Sequence, residues 1–236
     1  MRVGITLPQF RPSAEPALAA ARAAEAAGLD GVFAFDHVFA IGQPDRRASS
    51  AWPLLGALAA ETQRVAVGPL VARVGLLATA VLVHNFESLH RMVGERLIAG
   101  LGTGDRLSRA ENEAVGVDFP PAAQRLALLA EAAAATRRLG ITTWIGGLSP
   151  AVRGLAMAEA DSLNLWAVTP ERVAAETGIE VTWGGPAAAT VDDTAKLLRR
   201  LAAAGATWAV CAPPYGNDAD PAPAVAVVAD AAASLR

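Results

Sequence analysis

Short apolar runs alternate along this chain with longer alanine-rich segments whose apolar positions recur at helical spacing. The runs occupy residues 2–7, 31–35, 65–71, 96–101, 142–145, 162–166, 180–183 and 207–211. They show little polar alternation, the pattern of strands buried on both faces in a parallel sheet. Helical segments are predicted between them, over 14–27, 51–63, 77–91, 122–139, 150–159, 170–176 and 191–204, and another over 222–235 after the last run. The helix over 191–204 shows why. Leu198, Leu201 and Ala202 supply one apolar face. Thr190 and Asp193 form a start resembling a capping box. Asp192 and Asp193 in its first turn, with Lys196, Arg199 and Arg200 further on, complement the helix dipole. Gly205 is placed to end it, as Gly28 and Gly140 are for two others.

Eight strands alternating with eight helices predict an α/β fold, a (β/α)8 TIM barrel, as a single domain over 1–236. The same alternation would suit a doubly wound open sheet of fewer strands. Composition supports a large core, with 53% hydrophobic and 18% charged residues. A net charge of −3 offers no footprint for nucleic acid and no attraction to an anionic membrane. A single cysteine, Cys211, rules out an internal disulfide and argues against structural zinc. His37, His84 and His90 match no metal-ligand spacing, so no metal is expected. The start, MRVGITLPQF, is too short and polar for a signal peptide, and a cytoplasmic location is expected. Residues 65–83 are long and apolar enough to suggest a membrane span. Arg73 near the middle would cost about 3 kcal/mol there, and Gly68-Pro69 and Gly75 interrupt the segment. It reads as a buried strand, a turn and a buried helix face.

In such a fold ligands gather at the carboxyl ends of the strands. The fourth run ends in glycines at 100, 102 and 104, which would let backbone approach a ligand closely. It is not the dinucleotide fingerprint, because Asp105 stands where the third glycine would be. Asp36-His37 ends the second run, either as an acid/base pair or as a polar pair capping a loop. Gly146-Gly147 leads to Ser149, a candidate N-cap, and Pro150 at the first helical position. Such a start binds phosphate, or is an ordinary turn. Trp183-Gly184-Gly185-Pro186 has the same form, and three glycine-rich strand ends together favour an anionic, phosphate-bearing ligand. Arg73 either faces that ligand or pairs with an acid, and Asn164 is expected to point into the barrel. Glu111, Asn112 and Glu113 read as solvent-facing, His84, Asn85 and His90 as helix-surface groups, and the five tryptophans as packing. The loops over 39–50 and 103–121 fall on the same face and carry no readable motif.

The segments VGITLPQF, AARAAEAAGLDGVFAFDH, LAAETQRVAVGPLV, ESLHRMVGERLIAGLGTGD, WIGGLSP, AEADSLNLW and GATWAVCAPP resemble the bacterial luciferase-like monooxygenase family nearly end to end. GLDGVFAFDH and GERLIAGLGTG are the most specific. The Asp-His pair resembles the branch that uses the deazaflavin coenzyme F420. The resemblance implies an F420-dependent oxidoreductase passing hydride between the deazaflavin and a small organic substrate. Asp36 would orient the cofactor and His37 would act as acid/base on a substrate hydroxyl. Gly146, Gly147 and Ser149 would cradle phosphate, with Thr103, Gly104 and Asn112 beside the cofactor tail. A non-proline cis peptide is implied between Pro69 and Ala72, with Leu70 and Val71 as cofactor contacts. Dimers are usual in the family, so a homodimer is implied. The alternatives are an FMN-dependent monooxygenase on the same fold and a barrel that binds flavin without turnover. One departure is the family's insertion before the fifth strand, because Leu139 runs almost directly into Thr142. The mouth is therefore expected to be open, or covered by a partner subunit.

Overall fold

The computed structural model describes residues 1–40, 42–216 and 220–235. In chain order the elements are β1 (Arg2–Thr6), α1 (Glu15–Ala26), β2 (Gly31–Ala34), β3 (Phe39–Ala40), β4 (Gln43–Arg47), α2 (Ala51–Glu61), β5 (Ala66–Pro69), β6 (Ala72–Arg73) and α3 (Thr79–Val93). Then follow β7 (Ile98–Gly102), α4 (Ser108–Ala114), α5 (Ala122–Arg138), β8 (Thr142–Gly146), α6 (Pro150–Glu159), β9 (Ser162–Trp166), α7 (Pro170–Ala174), β10 (Glu180–Pro186), α8 (Val191–Ala203), β11 (Ala206–Ala212) and α9 (Ala222–Ala233). The main sheet runs β5-β2-β1-β11-β10-β9-β8-β7-β6, with every pairing parallel.

The two ends of that order belong to one barrel strand. The run predicted over 65–71 is broken at the Leu70–Val71 peptide, which is cis. Its first half, β5, pairs with β2, and its second half, β6, pairs with β7. A bridge from Val67 to Leu97 joins the first half to the chain entering β7. The sheet therefore closes on eight strand positions, and the open-sheet alternative falls away. No helix among the described residues is long and apolar enough to cross a membrane.

Alternation along the strands sorts the core into two clusters. Val3, Ile5, Val32, Val67, Leu101, Ile145, Leu163 and Leu165 face the helices. Phe33, Leu70, Ile98, Trp144, Trp208 and Val210 fill the barrel interior. There Phe33 stacks on Trp144 at 5.4 Å between ring centroids, and Trp208 meets Trp144 at 5.4 Å and Phe33 edge-on at 6.0 Å. Three large aromatics fit because inward positions on neighbouring strands are glycine. A Cβ at Gly31 would stand 2.9 Å from the Phe33 ring and 3.0 Å from Trp208. A Cβ at Gly68 would stand 2.0 Å from the Ile98 carbonyl oxygen, and one at Gly100 would stand 2.2 Å from that of Pro69. Gly100 thus serves close strand packing rather than ligand approach. On the outer face Cys211 is buried, and burial pushes its thiol up to about 12.

Both long loops carry structure that the hydrophobic pattern does not show. Residues 39–50 contain the antiparallel hairpin β3–β4, whose second strand, Gln43–Arg47, is exposed throughout. Residues 103–121 contain α4, which buries Ser108, Glu111 and Asn112. The capping features follow the sequence closely. Thr190 Oγ1 accepts the Asp193 N–H at 3.2 Å, and Ser149 Oγ accepts that of Val152 at 3.3 Å.

Two glycines should respond in opposite ways to alanine. Gly56 lies within α2 with nothing near its missing Cβ, so Gly56→Ala should raise unfolding free energy by about 0.5–1 kcal/mol. Gly68→Ala should lower it by about 3 kcal/mol, because the Ile98 backbone blocks the added methyl. Denaturant melts of the two variants test both signs.

Candidate active site

At the carboxyl ends of the barrel strands a cavity of about 550 Å³ opens to the surface. Its floor continues the inward rows of the barrel, with Phe35, Leu70, Gly102, Gly146, Asn164 and Trp166 one layer above the aromatic core. Asn164 points inward as expected, its Nδ2 donating to Thr182 Oγ1 at 2.9 Å.

Asp36 and His37 enter this cavity where β2 ends. The fully buried Gln9 sets their approach, since its amide group donates to the Phe35 carbonyl at 2.6 Å and accepts the Phe35 N–H. His37 then sits against Phe10 and Phe35, with ring centroids 6.2 and 6.1 Å away. Trp166 meets Phe35 edge-on at 5.6 Å and is 40% exposed. Phe35 and Trp166 make one wall of the cavity apolar.

The His37 ring is held by a carboxylate. Nδ1 lies 2.8 Å from Glu111 Oε1, and the other oxygen, Oε2, accepts the Val38 N–H at 2.6 Å. The Glu111 side chain is 1% exposed. Burial alone would raise its pKa, but the hydrogen bonds from His37 and Val38, with the nearby Arg73 charge, hold it below the ordinary carboxylate range. An ionised carboxylate can only accept hydrogen bonds. The proton of the neutral ring therefore sits on Nδ1, which leaves Nε2 with a lone pair free to accept.

Asp36 stands in the opposite balance. Its Oδ2 accepts the Arg73 amide N–H at 2.9 Å. Burial nevertheless pushes its carboxyl above the ordinary range, against the pull of that amide and of the Arg73 charge. The site thus pairs one easily ionised carboxyl with one that resists ionisation, the pattern by which acid and base roles separate.

Across the cavity, β8 leads through Gly146 and Gly147 to the start of α6. Gly147 has no room for a side chain, since a Cβ there would stand 2.9 Å from Val152 Cγ1. Gly104, at φ 66°, would place a Cβ 2.7 Å from Arg73 Cδ. Arg125 Nε anchors the Thr103 carbonyl at 2.9 Å. Val71 lies between these strand ends, where a Cβ on Gly102 would come within 2.5 Å of its Cγ2.

Of the residues singled out from the sequence, Asp36, His37, Leu70, Val71, Thr103, Gly104, Gly146, Gly147 and Ser149 line this one cavity. Asn112 does not. Its Nδ2 turns away to the Asp118 carbonyl at 2.8 Å and ties down the chain after α4. Of the three residues read as solvent-facing, Glu113 is exposed but Glu111 and Asn112 are buried. Ser108, Glu111 and Asn112 have the i, i+3, i+4 spacing of a buried helix face, but all three are polar and leave no hydrophobic signal.

A closed barrel with a cavity at the strand carboxyl ends, lined by Asp36, His37 and glycine-rich strand ends, defines the class as a (β/α)8 protein. The chain belongs to the luciferase-like monooxygenase family, whose profile matches residues 1–142. An F420-dependent glucose-6-phosphate dehydrogenase of Kineococcus radiotolerans is 38% identical over 117 residues, 49% of this chain and 34% of that one. The enzyme of the same name from Nakamurella multipartita is 35% identical over 124 residues, 52% of this chain and 35% of that one. The matched part therefore spans about a third of these relatives. Solved structures share the fold. An F420-dependent secondary alcohol dehydrogenase in complex with an F420-acetone adduct superposes with a TM-score of 0.84 at 15% identity, covering 100% of this chain and 99% of that one. An FMN complex of a Pseudomonas putida type II Baeyer-Villiger monooxygenase gives 0.61 at 12% identity, covering 84% and 71%.

The two carboxyls predict opposite stability profiles. Ionising Asp36 costs native stability above its raised pKa. Asp36→Asn should therefore raise the melting temperature at neutral pH, a gain that vanishes as pH falls toward the ordinary value of 3.8. Glu111 stabilises above its ordinary 4.5, and that contribution is lost as pH falls through its lowered native value. Glu111→Gln should cost about 2 kcal/mol at neutral pH and progressively less in acid. Thermal melts across pH check both slopes.

Proposed function

We propose that this chain is an F420-dependent oxidoreductase that transfers hydride between the deazaflavin and a small organic substrate. The observation that carries this reading is the His37–Glu111 pair, with no partner on Nε2 among the described residues, on a cavity whose far side is a glycine-lined helix start. The relatives named F420-dependent support the choice of cofactor.

The residues present fit such a cofactor. The amides of Leu148 and Ser149 carry no hydrogen-bond partner among the described residues, and they precede α6, a ten-residue helix whose dipole favours an anion. Gly146, Gly147 and Ser149 would hold the phosphate, Thr103 and Gly104 would border the tail, and Leu70 and Val71 would offer the ring an apolar wall. F420, when bound, supplies the carbon that accepts or returns the hydride. The remaining chemistry belongs to the chain. Oxidising an alcohol releases the hydroxyl proton, and His37 Nε2 is the base positioned to take it. Glu111 then stabilises the imidazolium through Nδ1. In the reverse direction His37 returns the proton to the carbonyl oxygen. Asp36 orients the cofactor beside this pair.

The passage from α5 to β8 is direct, but it lies at the amino-terminal ends of the strands, away from the cavity, so its shortness does not open the mouth as the sequence suggested. We extend the proposal to a cytoplasmic homodimer, whose mass light scattering would measure.

Fluorescence titration with F420 and FMN in parallel tests the cofactor. Saturable binding with F420 tighter supports this reading. Tighter FMN binding would move the assignment to an oxygen-using flavin enzyme, and binding of neither would reject both. His37→Ala should leave F420 affinity within about threefold but lower turnover about 100-fold or more. Equal loss of affinity and turnover would refute the acid/base role. Unchanged activity would leave a barrel that binds the cofactor without using this histidine.

A further inference from the structure

Arg73 follows the break in the third barrel strand and lines the cavity, yet its side chain is only 5% exposed. A buried guanidinium normally spends its donors on acceptors. Among the described residues this one makes a single hydrogen bond, from Nη1 to the Ser108 carbonyl at 3.2 Å, and the same nitrogen lies 3.5 Å from Glu111 Oε1. Nε and Nη2 are buried and have no partner among the described residues. Those two nitrogens form the side-on edge of the guanidinium. Their parallel N–H groups match the two oxygens of a carboxylate or phosphate. A purely structural partner of Glu111 would turn that edge toward the carboxylate. Here Glu111 meets one nitrogen at long range, and the bidentate edge is left unmatched.

We propose that the Nε–Nη2 edge of Arg73 is an anion-recognition element of this cavity, taking a carboxylate or phosphate oxygen pair from the molecule bound there. The inference rests on reading the cavity as a cofactor and substrate site, and the oxyanion can belong to either occupant. The local charges are consistent. Glu111 balances the guanidinium on its Nη1 side, and the Asp36 carboxyl meets the Arg73 main chain, whose amide N–H it accepts. Neither acid closes the edge.

Arg73→Lys is the deciding variant, because it keeps a cation beside Glu111 but has no bidentate edge. Two measurements apply, F420 affinity by fluorescence and the shift in melting temperature with millimolar inorganic phosphate, the latter with and without F420. If the oxyanion is the cofactor's, Arg73→Lys weakens F420 binding about tenfold or more without lowering the melting temperature of the cofactor-free protein. If it is the substrate's, F420 affinity holds, and the phosphate-induced shift of the F420-loaded wild type disappears in the variant. If neither measurement changes, or the wild type gives no phosphate shift while F420 binding is indifferent to the substitution, the proposal is overturned and Arg73 is a structural partner of Glu111. Should wild type fail to bind F420, the functional reading fails by itself. The phosphate shift of the cofactor-free protein then decides Arg73 alone, with a shift lost in Arg73→Lys supporting it and any other result rejecting it.

Discussion

A carboxylate taken out of water has to be surrounded by donors, and Glu111 gathers its donors from separate parts of the chain. One oxygen faces the His37 ring, the other the Val38 amide, and the Arg73 cation stands nearby. These contacts fix α4 against the end of β2 and the second half of the third barrel strand. They also determine which histidine nitrogen carries the proton. The position of a loop helix and the tautomer of the His37 ring thus follow from one desolvated charge.

Beneath that layer the barrel solves a volume problem. Phe33, Trp144 and Trp208 occupy an interior that eight strands leave narrow. Glycines on adjoining strands supply the space, and at Gly68 and Gly100 they also bring strand backbones within reach of each other. The cavity begins where the aromatic layer stops. Its floor therefore rests on the aromatic layer, with Leu70 belonging to both.

The scaffold was legible because buried parallel strands and capped helices leave strong signals. The apolar runs, Thr190, Ser149 and the helix-ending glycines all stand where the folded chain uses them. Asp36 and His37 were visible because two polar residues end an apolar run. Less was legible where burial is polar or pairing is confined to backbone. Glu111 and Asn112 look like solvent residues until a tertiary partner is known. Gln43–Arg47 has no strand pattern because it pairs through main-chain groups in an exposed hairpin. The glycines of the fourth run were recognisable as special, but the Pro69 carbonyl that explains Gly100 lies 31 residues earlier in the chain. Arg73 was legible only as a choice between an acid and a ligand, and its geometry engages the acid with one nitrogen.

The missing Cβ of Gly31 links two positions of β2, 31 and 33, to Trp208 at the other end of the chain. A larger residue at 31 is tolerable only if 33 or 208 shrinks at the same time. Packing couples these sites, so a larger residue at 31 introduced by itself carries a penalty. The barrel's interior thus constrains these positions jointly rather than one by one.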